Sequence, residues 1–228
     1  MLVIYNAFCH DCSFHSVTNY ILKFTEFVNI QLCHLTWSTR VPRITGCIEH
    51  ASIVWEAKKT KGNLNVVWVD LTNAYGSLPH EFLMKAMDFV YIPGEVQGLM
   101  REYYRNLQMR FSTEDFTTKW HRLEIGITAS CTILVIWFVL VMEMLLRSAD
   151  STEDEAKVRS PKKAFMDDVT LLTAEVDSMQ RVLTRLDELI TWSRLKFRAK
   201  KSRSLTIHKG KQTQQRFVIA REKMPTVK

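Results

Sequence analysis

Glycine and proline are scarce in this chain, seven and five among 228 residues. With so few, no stretch reads as an interdomain linker, and there is no internal repeat or low-complexity block. The five cysteines, Cys9, Cys12, Cys33, Cys47 and Cys131, are irregularly spaced. That spacing argues against a disulfide framework and for a reducing compartment. Cys9, Cys12 and His15, with Cys33 and His34 as a distant second pair, match no standard zinc spacing, so free thiols are expected there. The N-terminal MLVIYNAF lacks the basic flank and long apolar core of a signal peptide. The chain is therefore expected to be intracellular, nuclear or cytoplasmic, and not secreted.

Charge is missing from Ile125 to Met142, yet the first half of that run is Gly, Thr, Ala, Ser and Cys. Only Ile133–Met142 is strongly apolar, shorter than a bilayer core requires. A buried helix is expected, and a small membrane-attached protein is the reading this disfavours.

What is present is a folded composition, 46% hydrophobic, with a net charge of +7. The positive excess sits late, in RLKFRAKKSRSLTIHKGK and beyond. Taken alone, such a run is most often a solvated tail; its other use is to hold a polyanion such as nucleic acid. Residues 1–44 show weak periodicity and form an uninformative N-terminal segment. From there the pattern sharpens. CIEHASIVWEAKKTKGN reads as a helix ending at Gly62, and NVVWVDL as a buried strand finishing on Asp70. SLPHEFLMKAMDFV reads as a helix entered through Ser77 with Pro79 in its first turn, and EVQGLMREYYRNL as another. QMRFST and TTKWHRLEI suggest a hairpin, Thr132–Arg147 a helix, and AFM with VTLL a second hairpin. AEVDSMQRVLTRLDELITWSRL has apolar residues at helical spacing. SLTIH and RFVIA read as short closing strands.

Asp167 and Asp168 interrupt an apolar hairpin. Aspartates often occupy hairpin tips as plain turn residues, but here both arms are apolar and a separate buried strand also ends on an aspartate. A split βαβ sheet of the ferredoxin-like kind would set Asp70 beside Asp167 and Asp168. Three such carboxylates repel one another unless a cation neutralises them. Hard oxygen ligands suit Mg²⁺ or Mn²⁺. Two such ions about 4 Å apart can activate an attacking oxygen and stabilise a leaving one at phosphorus.

AFMDDVTLL resembles the Tyr/Phe-x-Asp-Asp hairpin of reverse transcriptases, and VVWVDLTNAYGSLPHEFL resembles their first catalytic motif. EIGITASCTILVIWFVLVMEMLL looks like the supporting loop and helix between these motifs, and KFRAKKSRSLTI like the lysine-bearing motif that follows. The likeness is to the reverse transcriptase domain of non-LTR (LINE-type) retroelements, over roughly Thr45 to the C-terminus.

The resemblance implies an α+β fold, a right-hand polymerase palm with a ferredoxin-like antiparallel sheet packed on helices. It implies a partial domain over residues 45–228 that lacks fingers and thumb. It further implies RNA-directed DNA polymerase chemistry with RNA template, DNA primer and dNTPs as partners, no membrane, and Mg²⁺ or Mn²⁺ held by Asp70, Asp167 and Asp168. Tyr75 would lie beneath the incoming sugar, with Gly126 in the nucleotide-supporting loop. Lys201 would protonate departing pyrophosphate, Lys200 being a near-equivalent choice, while Arg198, Lys200 and Arg203 would track a phosphate backbone. Three positions depart from the pattern: Ala129 and Ser130 stand where Gln and Gly are usual, and Leu134 replaces the common Ser. The alternative function is a noncatalytic, nucleic-acid-binding remnant of the same fold.

Overall fold

The structure is a computed structural model describing residues 2–6, 46–127, 132–150, 162–165 and 168–227. The chain divides into two compact units. One comprises Leu32–Ala74 and Met142–Lys228, the other Met1–Gln31 and Tyr75–Val141.

The first unit is built on an antiparallel sheet. In chain order its elements include α1 (Gly46–Lys59), β2 (Leu64–Val69), β5 (Lys162–Phe165), β6 (Asp168–Thr173), α6 (Val176–Trp192), β7 (Arg203–His208) and β8 (Lys211–Thr213). The strand order is β5-β6-β2-β7-β8, so the sequence-distant strands β6 and β7 both pair with β2. The expected adjacency of the Asp70 strand and the double-aspartate hairpin is present in this order. An interior strand must be apolar on both faces, and β2 is buried along nearly its whole length. Leu64 and Val66 pack with Leu172, Leu205 and Ile207, and Ile53, Val54 and Ala57 of α1 join that layer. The helix α6 packs on β6 and on β9 (Val218–Ile219). It does so through Met179, Val182, Leu183, Leu186 and Ile190, all buried at the i, i+3, i+4 spacing read from the sequence. Full burial of each such side chain contributes roughly 1.5–3 kcal/mol.

Asn65 is a buried polar side chain within this sheet, and it is satisfied. Its amide donates to the Ala174 carbonyl (3.3 Å) and its oxygen accepts from the Thr206 hydroxyl (3.0 Å). It ties β6 and β7 to β2 at one register, because a slip would leave the amide buried without partners.

The second unit holds β1 (Leu2–Asn6), α2 (Ala74–Ser77), α3 (His80–Phe89), α4 (Gly94–Asn106), β3 (Gln108–Ser112) and β4 (His121–Arg122). β3 lies between β1 and β4, pairing antiparallel with both. The strand β1 was not legible beforehand, because LVIYN is too short and too uniformly apolar for its period to be read. Phe82, Leu83, Ala86 and Met87 form the buried stripe of α3, which packs on α4.

Several expectations change in detail. Ser77 closes the short helix α2 instead of opening the next one, and Pro79 is the N-cap of α3, not part of its first turn. The cause is an extended pairing: Pro79 bridges Ile125, which holds it at ψ 138° and stops α2 from running into α3. The hairpin arm TTKWHRLEI shrinks to a two-residue strand with an isolated bridge at Thr117, because hydroxyl groups take over the tip: Ser112 bonds Thr117, and the Phe111 N–H goes to Thr118 Oγ1. RFVIA contributes only Val218–Ile219, folded onto β10 (Glu222–Lys223) through Ala220 and Arg221, both at positive φ as a tight two-residue hairpin requires. The polar edge strand β8 has no apolar alternation and went unread.

The apolar run near the middle forms α5 (Thr132–Asp150), three residues longer than expected. Trp137–Leu146 are buried without exception, the charged Glu143 included. Glu143 is itself fully buried and is bonded to Arg147 one turn on. No helix among the described residues is long and apolar enough to cross a membrane.

Candidate active site

In the sheet unit the site begins at the end of β2. The last paired positions of β2 and β6 are Val69 and Val169. Asp70 is the next residue on one strand and Asp168 the preceding residue on the other, so their backbones stand at the next register position. Asp168 also closes the β5–β6 hairpin by pairing with Phe165. Of Asp168 only the backbone is described, and Asp167 lies outside the described residues, as do Cys9, Cys12, His15, Cys33 and His34.

The Asp70 side chain is half-buried, and its Oδ2 is shielded from solvent without a hydrogen-bond partner among the described residues. A carboxylate oxygen left in that condition is costly unless a cation or donor meets it. Its chemistry fits a hard divalent ion, whose ligands are oxygens. Among the described residues no three His, Cys, Asp or Glu side chains converge as a metal centre.

The basic segment 196–203 does more than follow in sequence, because it is laced to the Asp70 end of β2. The Arg198 N–H donates to the Asp70 carbonyl (2.8 Å), the Thr72 N–H to the Lys196 carbonyl (2.8 Å), and Leu71 bridges Phe197. Ser202, almost fully buried, accepts the Asp70 N–H at its hydroxyl (3.2 Å) and donates that hydroxyl to the Arg198 carbonyl (3.0 Å). Both backbone groups of Asp70 are therefore fixed by this segment. Ser202 is the residue that sequence reasoning missed; a lone hydroxyl inside a basic run gives no local signal that it will be buried.

Lys200, Lys201 and Arg198 are exposed on this segment. Arg203 is exposed as well, but its guanidinium donates to the carbonyls of Lys200 and Ser202 (2.7 and 2.8 Å). It holds the turn together.

In the other unit the structure brings two further expected residues together. Gly126 and Ile127 run beside residues 75–79: the Gly126 N–H donates to the Leu78 carbonyl (2.8 Å) and the Ile127 N–H to the Tyr75 carbonyl (2.7 Å). The ring of Tyr75 lies 4.7 Å from that of Phe138, tilted by 43°. Gly126 has φ +90°, and a Cβ there would sit 2.9 Å from the Gly76 carbonyl oxygen. Any larger residue would force the two segments apart.

His80 completes this arrangement, with its Nε2 2.9 Å from the Gly126 carbonyl and its ring 4.3 Å from Tyr104. Burial lowers the His80 pKa below 6.5, and the Arg122 charge lowers it further against the opposing effect of the Gly126 bond. The ring is thus neutral near pH 7 and donates through Nε2.

Comparison with known proteins follows the same lines. A family profile described as reverse transcriptase (RNA-dependent DNA polymerase) matches residues 15–221. A curated relative, the retrovirus-related Pol polyprotein from type-1 retrotransposable element R2 of Bradysia coprophila, is 25% identical over 160 residues. That match covers 68% of this chain, which spans only 18% of the relative's length. Among solved structures, apo telomerase from Candida tropicalis truncated from its C-terminal domain superposes with a TM-score of 0.65 at 11% identity, over 88% of this chain and 43% of that one. Telomerase from Candida albicans, solved with a fragment of telomeric RNA, gives 0.57 at 10% identity over 78% and 32%. These two establish likeness of fold, the α+β palm. With a family match across most of its length, the chain belongs to the reverse transcriptase (RNA-dependent DNA polymerase) family, and its similarity to the R2 polyprotein supports the expected likeness to non-LTR retroelement domains.

Proposed function

We propose that residues 45–228 are the palm of an RNA-directed DNA polymerase that extends a DNA primer on an RNA template with dNTPs. The observation that carries this reading is the buried Oδ2 of Asp70, without a partner among the described residues, at the register position beside Asp168. Asp70 and Asp167 would hold Mg²⁺ or Mn²⁺, with Asp168 as an auxiliary ligand. When bound, the divalent ions supply activation of the attacking oxygen and charge stabilisation for the leaving one.

The chain's own residues do the rest. Ser202 and the Arg198 N–H fix the backbone of Asp70, so its carboxylate is aimed before substrate arrives. Tyr75, braced on Phe138, would sit under the sugar of the incoming nucleotide, where a ring excludes a 2′-hydroxyl. Gly126 would shape the supporting loop. Lys201, exposed and held at its backbone by Arg198, would give a proton to departing pyrophosphate, while Arg198, Lys200 and Arg203 would face phosphates. A chain working on such polymers belongs in the nucleus or cytoplasm.

The test is primer extension on an RNA template with Mg²⁺ or Mn²⁺, comparing the chain with Asp167→Asn. Metal-dependent extension that disappears in the variant supports the reading. Ala129 and Ser130, standing where Gln and Gly are usual, favour as second reading a noncatalytic chain that binds nucleic acid. RNA binding by a folded chain with no extension at any metal concentration would establish that instead.

A further inference from the structure

From Arg194 to Lys228 twelve Lys and Arg stand against a single acid, Glu222. The residues assigned above account only for those near Asp70. A second group lies at the other end of β2, where the strand begins, and it is assembled from two distant parts of the chain. The β7–β8 hairpin carries His208, Lys209 and Lys211 about its turn, and it docks on the C-terminal end of α1 and the turn after it, which carry Lys58, Lys59 and Lys61. The Gly210 N–H donates to the Gly62 carbonyl (3.0 Å) and the Lys209 N–H to Asn63 Oδ1 (2.9 Å).

Gly210 makes the approach possible. It has φ +76°, and a Cβ there would lie 2.8 Å from the Lys58 carbonyl oxygen and 2.9 Å from the Lys61 Cα. Lys61 and Lys209 flank the junction at φ 54° and 50°, a left-handed conformation that Gly or Asn adopts more easily. Placing lysine at both positions adds charge where local conformation alone would choose otherwise.

The five lysines are exposed, and none enters an ion pair among the described residues. Beside them Trp55 is 60% exposed, with Lys59 Nζ 4.8 Å from its ring centre. α1 carries two acids, Glu49 near its start and Glu56. Glu175 and Asp177, near the same end of the sheet, follow β6, on the opposite side of β2 from β7. With no ion pair to these lysines among the described residues, the gathered like charges repel one another, and a polyanion relieves that repulsion.

We infer that this cluster, Lys58, Lys59, Lys61, Lys209 and Lys211 with Trp55, is a second nucleic-acid site that holds single-stranded RNA. The lysines contact phosphates, and the tryptophan stacks on an unpaired base. The choice of RNA as the strand rests on the reading of the chain as an RNA-copying domain. β2 separates this site from Asp70 by its own length, roughly 20 Å at 3.3 Å per residue, so the two ends grip different stretches of a strand.

The test is fluorescence anisotropy of a fluorescein-labelled oligouridylate with the full chain, titrated between about 50 and 200 mM salt. Replacing Lys58, Lys59, Lys209 and Lys211 with Gln is expected to reduce the slope of log affinity against log salt by about 3, roughly 0.7 per lysine. Trp55→Ala is expected to weaken binding several-fold at unchanged slope. Gly210→Ala, which alters no charge, is expected to weaken binding by separating the two lysine groups. Should that variant fold poorly, the exposed Gln substitutions still decide the matter. An unchanged slope in the quadruple Gln variant overturns the site. Lysine-dependent binding of oligodeoxythymidylate or anionic phospholipid vesicles, with oligouridylate unaffected, overturns RNA as the occupant. Wild-type chain that never extends a primer yet shows the lysine-dependent slope separates failure of the catalytic reading from failure of this one.

Discussion

The two ends of β2 share one strand and one core but differ in every chemical respect. At the exit, Asp70 presents a carboxylate oxygen with no partner among the described residues, and the segment 196–203 fixes the backbone that carries it. At the entrance, lysines from α1 and from the β7–β8 turn gather around Gly210, with no carboxylate among the described residues paired to them. Carboxylate at one end calls for cations, and ammonium groups at the other call for phosphates. The contrast shows how one buried strand serves two purposes: its apolar interior supplies rigidity, and the residues just beyond each end, outside the ladder, are free to carry charge.

The comparison can be broken most severely at Asp70. Asp70→Asn should reduce metal-dependent primer extension by about a thousandfold or more, the loss of several kcal/mol of charge stabilisation. Oligouridylate binding in that variant should keep its full salt dependence, because the lysine end is intact.

Next in size is Val67→Ala, in the fully buried middle of the strand. A loss of about 2 kcal/mol is expected from the lost contacts and the cavity, read as a lower urea midpoint. Both ends should suffer together as the folded fraction falls, with the salt slope of the remaining folded chain unchanged. A loss confined to one end would show that the strand does not couple them.

Ser202→Ala is expected to cost about 1 kcal/mol through the lost acceptor for the Asp70 N–H. It should lower extension several-fold while leaving oligouridylate binding untouched. Equal effects on both activities would make Ser202 a general structural residue instead of a positioner of Asp70.

The smallest effect belongs to His80, which lies in the other unit and serves as a control. Burial depresses its folded pKa below 6.5, so above that pH both folded and unfolded states are neutral and its contribution is complete. As pH falls from 6.5 toward the folded value the unfolded state takes up the proton first, and stability is lost. His80→Gln, which can still donate to Gly126, should flatten the urea midpoint against pH in this range. A persistent slope of the same size would assign the proton to another group.

Much of this was legible beforehand because it is local. The buried run NVVWVDL, the helical stripe of α6 and the apolar arms around Asp167 and Asp168 each carry their own period, and their order matches a palm sheet. Illegible parts had either no period or too few residues. β8 is polar throughout, LVIYN has no alternation, and the helix start at Pro79 is moved by a bridge to Ile125, a residue 46 positions away.

The sequence alone thus determined which of the periodic segments are strands and helices, which aspartate ends a buried strand, and where positive charge accumulates, since these follow from side-chain periodicity and residue type. Only the tertiary structure decided that Ser202 would stand behind Asp70, that His80 would hold Gly126, and that Lys58–Lys61 would meet Lys209–Lys211 across nearly 150 residues of chain. Those meetings depend on closing long loops, and what closes them is the pairing of buried strands, together with one glycine small enough to let two backbones touch.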